Sequence, residues 1–388
     1  MMNWIEISIP SLKGRECDFL KKCIESNFVS SVGPFINQFE SNVSREIGLS
    51  DNNAVATSSG TTALQLGLIS LGVKPNDLVI VPSYTFIATA NAVSHVGANP
   101  WILDIESNQL TLDPIKLNKE LEKNTIKKKG TLFHKETNQR IACLLPVYVF
   151  GSPPDLDLIA EIANNFSIPI LLDSACGIGS KYKDLKLGQT KLPGIISFNG
   201  NKTITTGAGG IFYSFEENKV EKVRHLSTTA KCSSRYDHDE IGYNYRMSNI
   251  QAALGLAQLE DLNKIINQKR IIHSNYLRSL SDFDEFRLIT DPPWGESSHW
   301  LNAIVLNRDD DENIDNLIHE LRKVKIRANH FWKPLHLQKP YLNQLKANLK
   351  SLNNIQNKVL VLPSSSNLSI ADQERVIKTI TTYFKKTC

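Results

Sequence analysis

The chain has 388 residues, which is long enough for two domains with a large buried core. Hydrophobic residues make up 41% of it and charged residues 22%, and this balance excludes disordered and fibrous proteins. The formal net charge of +4 is small and scattered, which argues against a strongly acidic partner such as a nucleic acid or an anionic membrane.

The first half of the chain alternates predicted helices with predicted strands. Helical periodicity covers residues 16–30, and a second amphipathic helix carries Phe35, Phe39 and Val43 on one face. Short apolar runs predict strands at 54–56, 78–82, 101–104, 143–151 and 168–173. Helices are predicted at 63–71, 83–91 and 158–166, and a hairpin or loop at 122–140. This alternation indicates an α/β fold, in which helices cover both faces of a parallel sheet and ligands bind beyond the carboxyl ends of its strands.

The pattern changes after Ile211. Residues 239–262 comprise a polar loop followed by a long helix, and the rest of the chain combines helices with a strand at 301–306. This pattern predicts a smaller C-terminal α+β domain. We place the large domain at residues 1–248 and the small domain at residues 249–388.

The cysteines and the N-terminus indicate the compartment of the protein. The six cysteines occur at no spacing typical of a metal site and suggest no disulfide framework. The N-terminus lacks the basic flank and apolar core of a signal peptide, and no apolar run is long enough to span a membrane. We therefore expect free thiols, no metal site and a cytoplasmic protein. The cysteines are Cys17, Cys23, Cys143, Cys176, Cys232 and Cys388.

Residues 195–211 are the stretch around which the predicted site is organised. Apolar, strand-like residues lead into a polar turn that contains Ser197, Asn199 and Lys202, and a glycine-rich turn leads back into a strand. An amine held on a short turn between two buried strands can form a Schiff base with an aldehyde cofactor and can carry protons. A lone lysine of this kind is more often a surface residue in a hairpin, so the prediction depends on its partners.

Other residues fit the aldehyde cofactor pyridoxal 5′-phosphate, which needs a carboxylate at its pyridine nitrogen and a cradle for its phosphate. Asp173, at the end of a buried strand, can supply the carboxylate. The turn at residues 57–62 opens a helix, and free N–H groups at a helix N-terminus bind phosphate. Phe86, in another helix-opening turn, could stack on the ring. We assign the phosphate to Ser59, Gly60, Thr61 and Ser197.

The same residues carry a resemblance to a known family. In chain order, five stretches resemble motifs of the nucleotide-sugar aminotransferase family of the DegT/DnrJ type, namely residues 59–64, 84–89, 197–202, 205–210 and 242–251. The resemblance also includes residues 29–34, 331–338 and 362–368. Each motif is weak alone, but their common order and spacing are highly specific.

This resemblance implies a pyridoxal phosphate-dependent transferase of fold type I, with a mixed, mostly parallel seven-stranded sheet in the large domain. It also implies a homodimer with active sites at the subunit interface. Lys202 and Asp173 would be the catalytic residues. The cofactor-binding residues would be Ser59, Gly60, Thr61, Phe86, Asp173, Cys176, Ser197, Asn199, Lys202 and, from the neighbouring subunit, Asn244. The substrate-binding residues would be Tyr84, Arg246 and His336.

Two positions depart from the pattern of the family. Where the family usually has His, Gln or Glu bonding the ring oxygen of the cofactor, this chain has Cys176, and a thiol is a poor hydrogen-bond partner. Tyr148 replaces a frequent histidine. Neither change removes a group that the chemistry requires, and Cys176 is better explained as a small buried residue than as a reactive thiol.

The resemblance implies the transfer of an amino group from an amino acid, for which we expect glutamate, to the 4-keto carbon of a nucleotide-linked 6-deoxy sugar. A dehydrating branch of the family has histidine in place of Lys202, so the lysine favours transamination. The lysine motif, the insert before Ala142 and residues 332–338 resemble enzymes of bacillosamine and legionaminic acid synthesis. Those enzymes act on UDP-4-keto-6-deoxy-N-acetylhexosamines for surface glycans. GDP-perosamine synthases and dTDP-sugar aminotransferases are alternatives.

Two further alternatives belong to other classes of protein. A regulatory or binding protein could keep the fold without turnover. Lys202→Ala would distinguish the two classes, because an enzyme would lose amino transfer whereas a sensor would keep its output. A nucleic-acid-associated protein is favoured by nothing except the mildly basic charge, and steeply salt-dependent binding would support it. We therefore expect an enzyme with no nucleic-acid or membrane partner.

Overall fold

The computed structural model describes residues 3–307 and 311–387. Its helices are α1 (Glu16–Ser26), α2 (Pro34–Glu46), α3 (Gly60–Ser70), α4 (Ile87–His95), α5 (Pro114–Asn124), α6 (Leu156–Phe166), α7 (Glu217–Ser227), α8 (Asn249–Glu260), α9 (Leu262–Leu280), α10 (Asp311–Lys323), α11 (Lys350–Ile355) and α12 (Ile370–Thr387). The strands are β1 (Ala54–Thr57), β2 (Leu78–Pro82), β3 (Asn99–Leu103), β4 (Thr125–Lys128), β5 (Thr131–His134), β6 (Ile141–Leu144), β7 (Leu172–Asp173), β8 (Lys181–Tyr182), β9 (Leu185–Lys186), β10 (Gly194–Ser197), β11 (Gly210–Tyr213), β12 (Phe286–Leu288), β13 (Gly295–Glu296), β14 (Asn302–Leu306), β15 (Asn329–His330) and β16 (Val359–Leu362).

The central sheet has the strand order β1-β11-β10-β7-β6-β2-β3 within the described residues. Strand β11 runs antiparallel to β1 and β10, whereas β10–β7, β2–β6 and β2–β3 are parallel pairs. Strand β7 joins β6 through two parallel bridges, Leu144 to Ile170 and Val147 to Asp173. The predicted mixed, mostly parallel sheet of seven strands is therefore confirmed.

Both faces of this sheet are covered, which explains why its strands are continuous apolar runs. All five residues of β2 are buried. Leu78 and Ile80 pack into one hydrophobic cluster, while Val79 and Val81 pack into the other, as the alternation of side chains along a strand requires. Helix α3 packs against β10 and β11 on one face, and its N-terminus lies at the carboxyl end of β1.

The predicted strands at 143–151 and 168–173 are shorter in the structure than in the sequence analysis. Regular pairing ends at Leu144 in the first and covers only Leu172–Asp173 in the second. Pro146 and Pro169 explain the difference, because proline has no N–H to donate to a ladder. Their carbonyl oxygens still accept hydrogen bonds from Asp173 (2.9 Å) and Leu144 (2.8 Å), so the two segments stay side by side.

Residues 122–140 contain the predicted hairpin, formed by β4 and β5. The C-terminal part has an antiparallel sheet of order β12-β14-β16-β15, packed with α9, α10 and α12 around a third hydrophobic cluster that also includes Ile5. This sheet and its helices form the predicted α+β unit. Helix α8 contacts α1 and α2, so contacts cross the boundary at 248/249, and the division of the chain there stays a prediction.

The described residues include no helix with the length and apolar character needed to cross a membrane. Five of the cysteines are free, and Cys388 lies outside the described residues. Burial raises the pKa of the Cys143 thiol to about 12, which leaves it protonated and unreactive at neutral pH.

Candidate active site

A cavity of about 340 Å³ opens at the carboxyl ends of the central strands. It lies where β1, β2, β7 and β10 each end in a loop, the place where α/β sheets bind ligands. The predicted residues that line it are Ser59, Gly60, Thr61, Phe86, Asp173, Cys176, Ser197, Asn199 and Lys202.

One end of the cavity is the N-terminus of helix α3. Ser59 caps this helix: its Oγ accepts a hydrogen bond from the Thr62 N–H (3.1 Å), and the Thr62 hydroxyl accepts one from the Ser59 N–H (3.1 Å). The N–H groups of Gly60 and Thr61 precede the first helical bond, from Ala63 to the Ser59 carbonyl. Two backbone donors and the positive end of the helix dipole therefore face the cavity, an arrangement suited to an anion.

Lys202 lies on the turn between β10 and β11. Its N–H donates to the Asn199 carbonyl (3.0 Å), which closes the turn and directs the side chain into the cavity. The Nζ donates to the Sγ of Cys176 (3.2 Å) and lies 3.9 Å from the ring centre of Trp300. Burial raises the pKa of the Cys176 thiol, although the charge of Lys202 lowers it in part. The thiol is thus a weak acceptor in contact with the amine.

Asp173 is a carboxyl group in a nearly solvent-free environment, with 4% of its surface exposed. Its Oδ2 accepts a hydrogen bond from the Thr89 hydroxyl (2.7 Å), and its Oδ1 accepts one from the Ala175 N–H (3.2 Å). Burial raises the pKa of Asp173, and Thr89, Ala175 and the charge of Lys202 partly oppose that rise. The amine and the carboxyl group therefore belong to one cavity.

Aromatic residues form the wall of the cavity near its mouth. Phe86 is 55% exposed, and its ring centre lies 6.3 Å from that of Trp332. Trp332 also stacks on Phe150 (6.0 Å) and contacts Phe331 (4.3 Å). Its φ of 38° lies in the left-handed region, which is strained for so bulky a residue. Tyr84 lies behind this wall, where its hydroxyl donates to the Phe331 carbonyl (2.7 Å).

The other predicted residues do not line the cavity formed by the described residues. Asn244 is exposed on the loop before α8, and Arg246 on the same loop donates to Asn37 (3.1 Å). His336 is half-buried, and its Nδ1 has no hydrogen-bond partner among the described residues. Burial and the charge of Lys346 lower its pKa, so the imidazole is neutral at physiological pH.

The profile of the DegT/DnrJ/EryC1/StrS aminotransferase family matches residues 10–381. The chain belongs to this family. EpsN of Bacillus subtilis (strain 168), described as a candidate pyridoxal phosphate-dependent aminotransferase, is 34% identical over 381 residues, 97% of this chain and 95% of EpsN. The GDP-perosamine synthase of Caulobacter vibrioides is 32% identical over 377 residues, 96% of each chain.

Solved structures of aminotransferases share the fold. DesV from S. venezuelae, crystallised in complex with a ketimine intermediate, superimposes with a TM-score of 0.85 over 95% of this chain and 94% of its own, at 26% identity. The aminotransferase TlmJ from Streptoalloteichus hindustanus superimposes with a TM-score of 0.89 over the whole of both chains, at 24% identity. The predicted transferase of fold type I is therefore confirmed.

As a member of this family, the protein is a pyridoxal phosphate-dependent aminotransferase. The residues of the cavity fit the cofactor: an amine for its aldehyde, a buried carboxyl group for its pyridine nitrogen and a helix N-terminus for its phosphate. The packing at Gly60 fits as well. A Cβ there would lie 2.9 Å from the Cβ of Ser197, so the glycine lets the helix N-terminus approach β10 closely.

Three residues of the site have no role predicted from the sequence, namely Thr89, Trp300 and Trp332. Thr89 lies in a predicted motif, and its spacing of one helical turn from Thr85 was a usable signal. Trp300 follows a polar run and precedes β14, and Trp332 lies in a motif near the C-terminus. Local patterns could not place either tryptophan, because a long-range contact brings each of them to the cavity.

Proposed function

We propose that this aminotransferase transfers the amino group of glutamate to the 4-keto carbon of a UDP-4-keto-6-deoxy-N-acetylhexosamine for surface glycan biosynthesis. The observation that carries the proposal is the juxtaposition of the Lys202 amine and the buried Asp173 carboxyl group in one cavity of a chain from this family. The family relationship supports the coarser statement, a nucleotide-sugar aminotransferase. The choice of UDP rests on the lysine motif and on residues 332–338.

GDP-4-keto-6-deoxy sugars are a second candidate class of substrate. The relatives favour it, because the GDP-perosamine synthases of Caulobacter vibrioides and Vibrio cholerae are 32% and 30% identical to this chain over at least 96% of its length. The motifs that resemble UDP-sugar enzymes favour the first candidate. A direct comparison of the two sugars decides between them.

The roles of the residues follow from their positions. Bound pyridoxal phosphate supplies the electron sink and carries the amino group between the two substrates. Lys202 would bind the cofactor and hold or release a proton at its Nζ, and Asp173 would hold the pyridine nitrogen protonated. The N–H groups of Gly60 and Thr61, with the hydroxyl of Ser197, would bind the phosphate. The aromatic wall would orient the sugar and exclude water.

The charge of the cavity supports a homodimer. Of the described residues that line it, only Asp173 and Lys202 carry charged side chains. The carboxylates of glutamate and the diphosphate of the sugar both call for positive partners, and Lys202 is the one cation among the described residues that line this cavity. Asn244 and Arg246 lie on an exposed loop, and we propose that Asn244 reaches the phosphate site of the neighbouring subunit. The cytoplasmic location stays a prediction.

The test offers the purified protein, with pyridoxal phosphate and glutamate, a panel of 4-keto UDP-, GDP- and dTDP-sugars and measures the aminated sugar by mass spectrometry. We expect product from the UDP-N-acetylhexosamine derivative and none from Lys202→Ala. Lys264→Ala, which changes an exposed lysine, is the matched control and should keep activity. Amination of the GDP sugar alone would replace the first candidate by the second, and amination of no sugar would overturn both.

A mixing experiment tests the shared site. Alone, Lys202→Ala subunits should be inactive and Asn244→Ala subunits only weakly active. After equal amounts are unfolded and refolded together, about half of the dimers would be hybrids with one native site of two, so about a quarter of the native activity should return. Activity that stays at the level of the separate variants would contradict a site built from both subunits.

A further inference from the structure

Trp300 contacts the turn of Lys202 at two points. Its indole Nε1 donates a hydrogen bond to the carbonyl oxygen of Asn201 (2.6 Å), the residue directly before the lysine. The centre of its ring lies 3.9 Å from the Nζ of Lys202, within the range of a cation–π contact. The same side chain therefore holds both the backbone of the turn and the amine at its end.

The backbone around Trp300 is fixed from behind. The Nζ of Lys269, on α9, donates to the Trp300 carbonyl (3.0 Å) and to the Ser364 carbonyl (2.8 Å). The Ser298 hydroxyl donates to the carbonyl of Cys176 (2.9 Å), which connects the segment to the far side of the cavity. Because these bonds are buried, the indole cannot easily leave its place above the amine.

Few groups near the Lys202 amine can interact with its charge, which makes the indole ring of Trp300 important. The titratable groups near Lys202 are Cys176, which it touches, Asp173, and Lys269 behind the tryptophan. The thiol is a weak acceptor, and the oxygens of Asp173 already accept bonds from Thr89 and Ala175. The indole ring thus contacts the amine directly, and its face attracts the charged form of the amine.

We propose that Trp300 is a positioning residue for Lys202, holding the free amine as an ammonium directed into the cavity. The N–H bond to Asn201 fixes the turn, and the ring face stabilises the positive charge whenever the lysine is not joined to the cofactor. The proposal deepens the proposed function and rests on the role given there to Lys202.

The test measures the reactivity of Lys202 in the full-length chain freed of cofactor. Acetic anhydride acylates neutral amines only, and mass spectrometry of the peptide that contains Lys202 gives its labelling rate against other lysines. We expect Trp300→Leu to raise the ratio of labelling at pH 7.5 to labelling at pH 11 by about threefold to tenfold. A change of access alone would raise both rates equally and leave this ratio unchanged.

Trp300→Phe is the second variant, because it keeps a ring face and loses the N–H donor. Phenylalanine attracts a cation less than tryptophan does, so we expect a ratio between those of the native chain and Trp300→Leu, about twofold above native. This variant also carries the test if Trp300→Leu fails to fold by circular dichroism. A ratio equal to the native one in every folded variant would overturn the proposal.

Borohydride reduction of the native protein with pyridoxal phosphate separates this proposal from the proposed function. Peptide mapping should find the reduced cofactor on Lys202. Reduced cofactor on another lysine would refute the role of Lys202 and with it the purpose given to Trp300. The acetylation ratio would still report the contact between Trp300 and Lys202. A label on Lys202 with an unchanged ratio would refute the positioning role alone.

Discussion

Asp173 depends on a short chain of two hydroxyl groups at the start of helix α4, Thr85 just before the helix and Thr89 in its first turn. Thr89 donates to its Oδ2 (2.7 Å), and the hydroxyls of Thr85 and Thr89 are hydrogen-bonded to each other (2.7 Å). Burial already raises the pKa of Asp173, so the loss of a donor that favours the carboxylate raises it further. We expect Thr89→Val to shift the acidic limb of the kcat/KM profile upward by about one pH unit.

The matched control for this change is Thr85→Val, because Thr85 is one hydrogen bond farther from the carboxyl group than Thr89. It should shift the limb less, because Thr89 keeps its bond to Asp173. Activity of the Thr89→Val variant should recover at alkaline pH, where the carboxyl group is ionised in both proteins. Acidic limbs that coincide in the native protein and Thr89→Val would show that this bond does not set the charge of Asp173.

Tyr148 is buried, and its hydroxyl has no hydrogen-bond partner among the described residues. An unpaired buried hydroxyl costs stability, so Tyr148→Phe should raise the free energy of unfolding in urea by about 0.5–1 kcal/mol. Tyr213 is the control, because its hydroxyl and that of Ser174 are hydrogen-bonded (2.8 Å). Tyr213→Phe should lower the free energy of unfolding, and equal losses in both variants would refute the explanation.

At the scale of elements, the contact between helix α3 and strand β10 depends on Gly60. Its added Cβ would lie 2.9 Å from the Cβ of Ser197, so Gly60→Ala forces the helix away from the strand. We expect a loss of about 1–3 kcal/mol in unfolding free energy and at least tenfold weaker binding of pyridoxal phosphate, measured by urea unfolding and by fluorescence titration.

Gly200, on the turn between β10 and β11, offers the matched control. A Cβ there would have only the Gly207 carbonyl oxygen nearby, at 3.7 Å, which is an ordinary contact. Gly200→Ala should therefore leave stability within about 0.5 kcal/mol of the native value. Equal unfolding free energies and equal cofactor binding in Gly60→Ala and Gly200→Ala would show that Gly60 is not needed for the close approach of α3 to β10.

The elements themselves were largely predictable from the sequence, because each depends on a local pattern. The apolar run of β2, the capped start of α3 and the turn around Lys202 all appear in the structure where the sequence indicates them. The length of β7 was not predictable from apolarity alone. Its pairing with β6 is interrupted by two prolines, Pro146 after β6 and Pro169 before β7, and an apolar run does not show this interruption.

At the scale of the whole molecule, the candidate site was predictable on its sheet side and hidden on its C-terminal side. Ser59, Asp173 and Lys202 follow strands that end at one edge, so the alternating pattern places them together. Trp300 and Trp332 reach the cavity because the C-terminal unit packs beside the sheet, and no local periodicity sets that packing. The role expected for Asn244 stays a prediction, because it needs a second subunit.

Lys269 joins these parts of the molecule through a buried amine. It is 2% exposed, and its Nζ donates to the carbonyl oxygen of Trp300, beside the cavity, and to that of Ser364, just after β16. Burial lowers its pKa from 10.5 to about 7, with a small opposing effect of Cys176. Between pH 7 and pH 10.5 the unfolded chain therefore binds more protons at this lysine than the native protein does. Stability consequently rises with pH across that window.

Lys269→Met removes this dependence. Between pH 7 and pH 9, the unfolding free energy of the native protein should rise by about 2 kcal/mol relative to that of the variant. Lys264→Met is the control on the same helix, because the Lys264 side chain is 74% exposed, and its unfolding free energy should follow the native curve. Urea unfolding of the cofactor-free chain at pH 7, 8 and 9 measures all three. Parallel curves for the native protein and Lys269→Met would mean that the buried amine keeps its proton throughout, and that α9 holds Trp300 with a permanent ammonium.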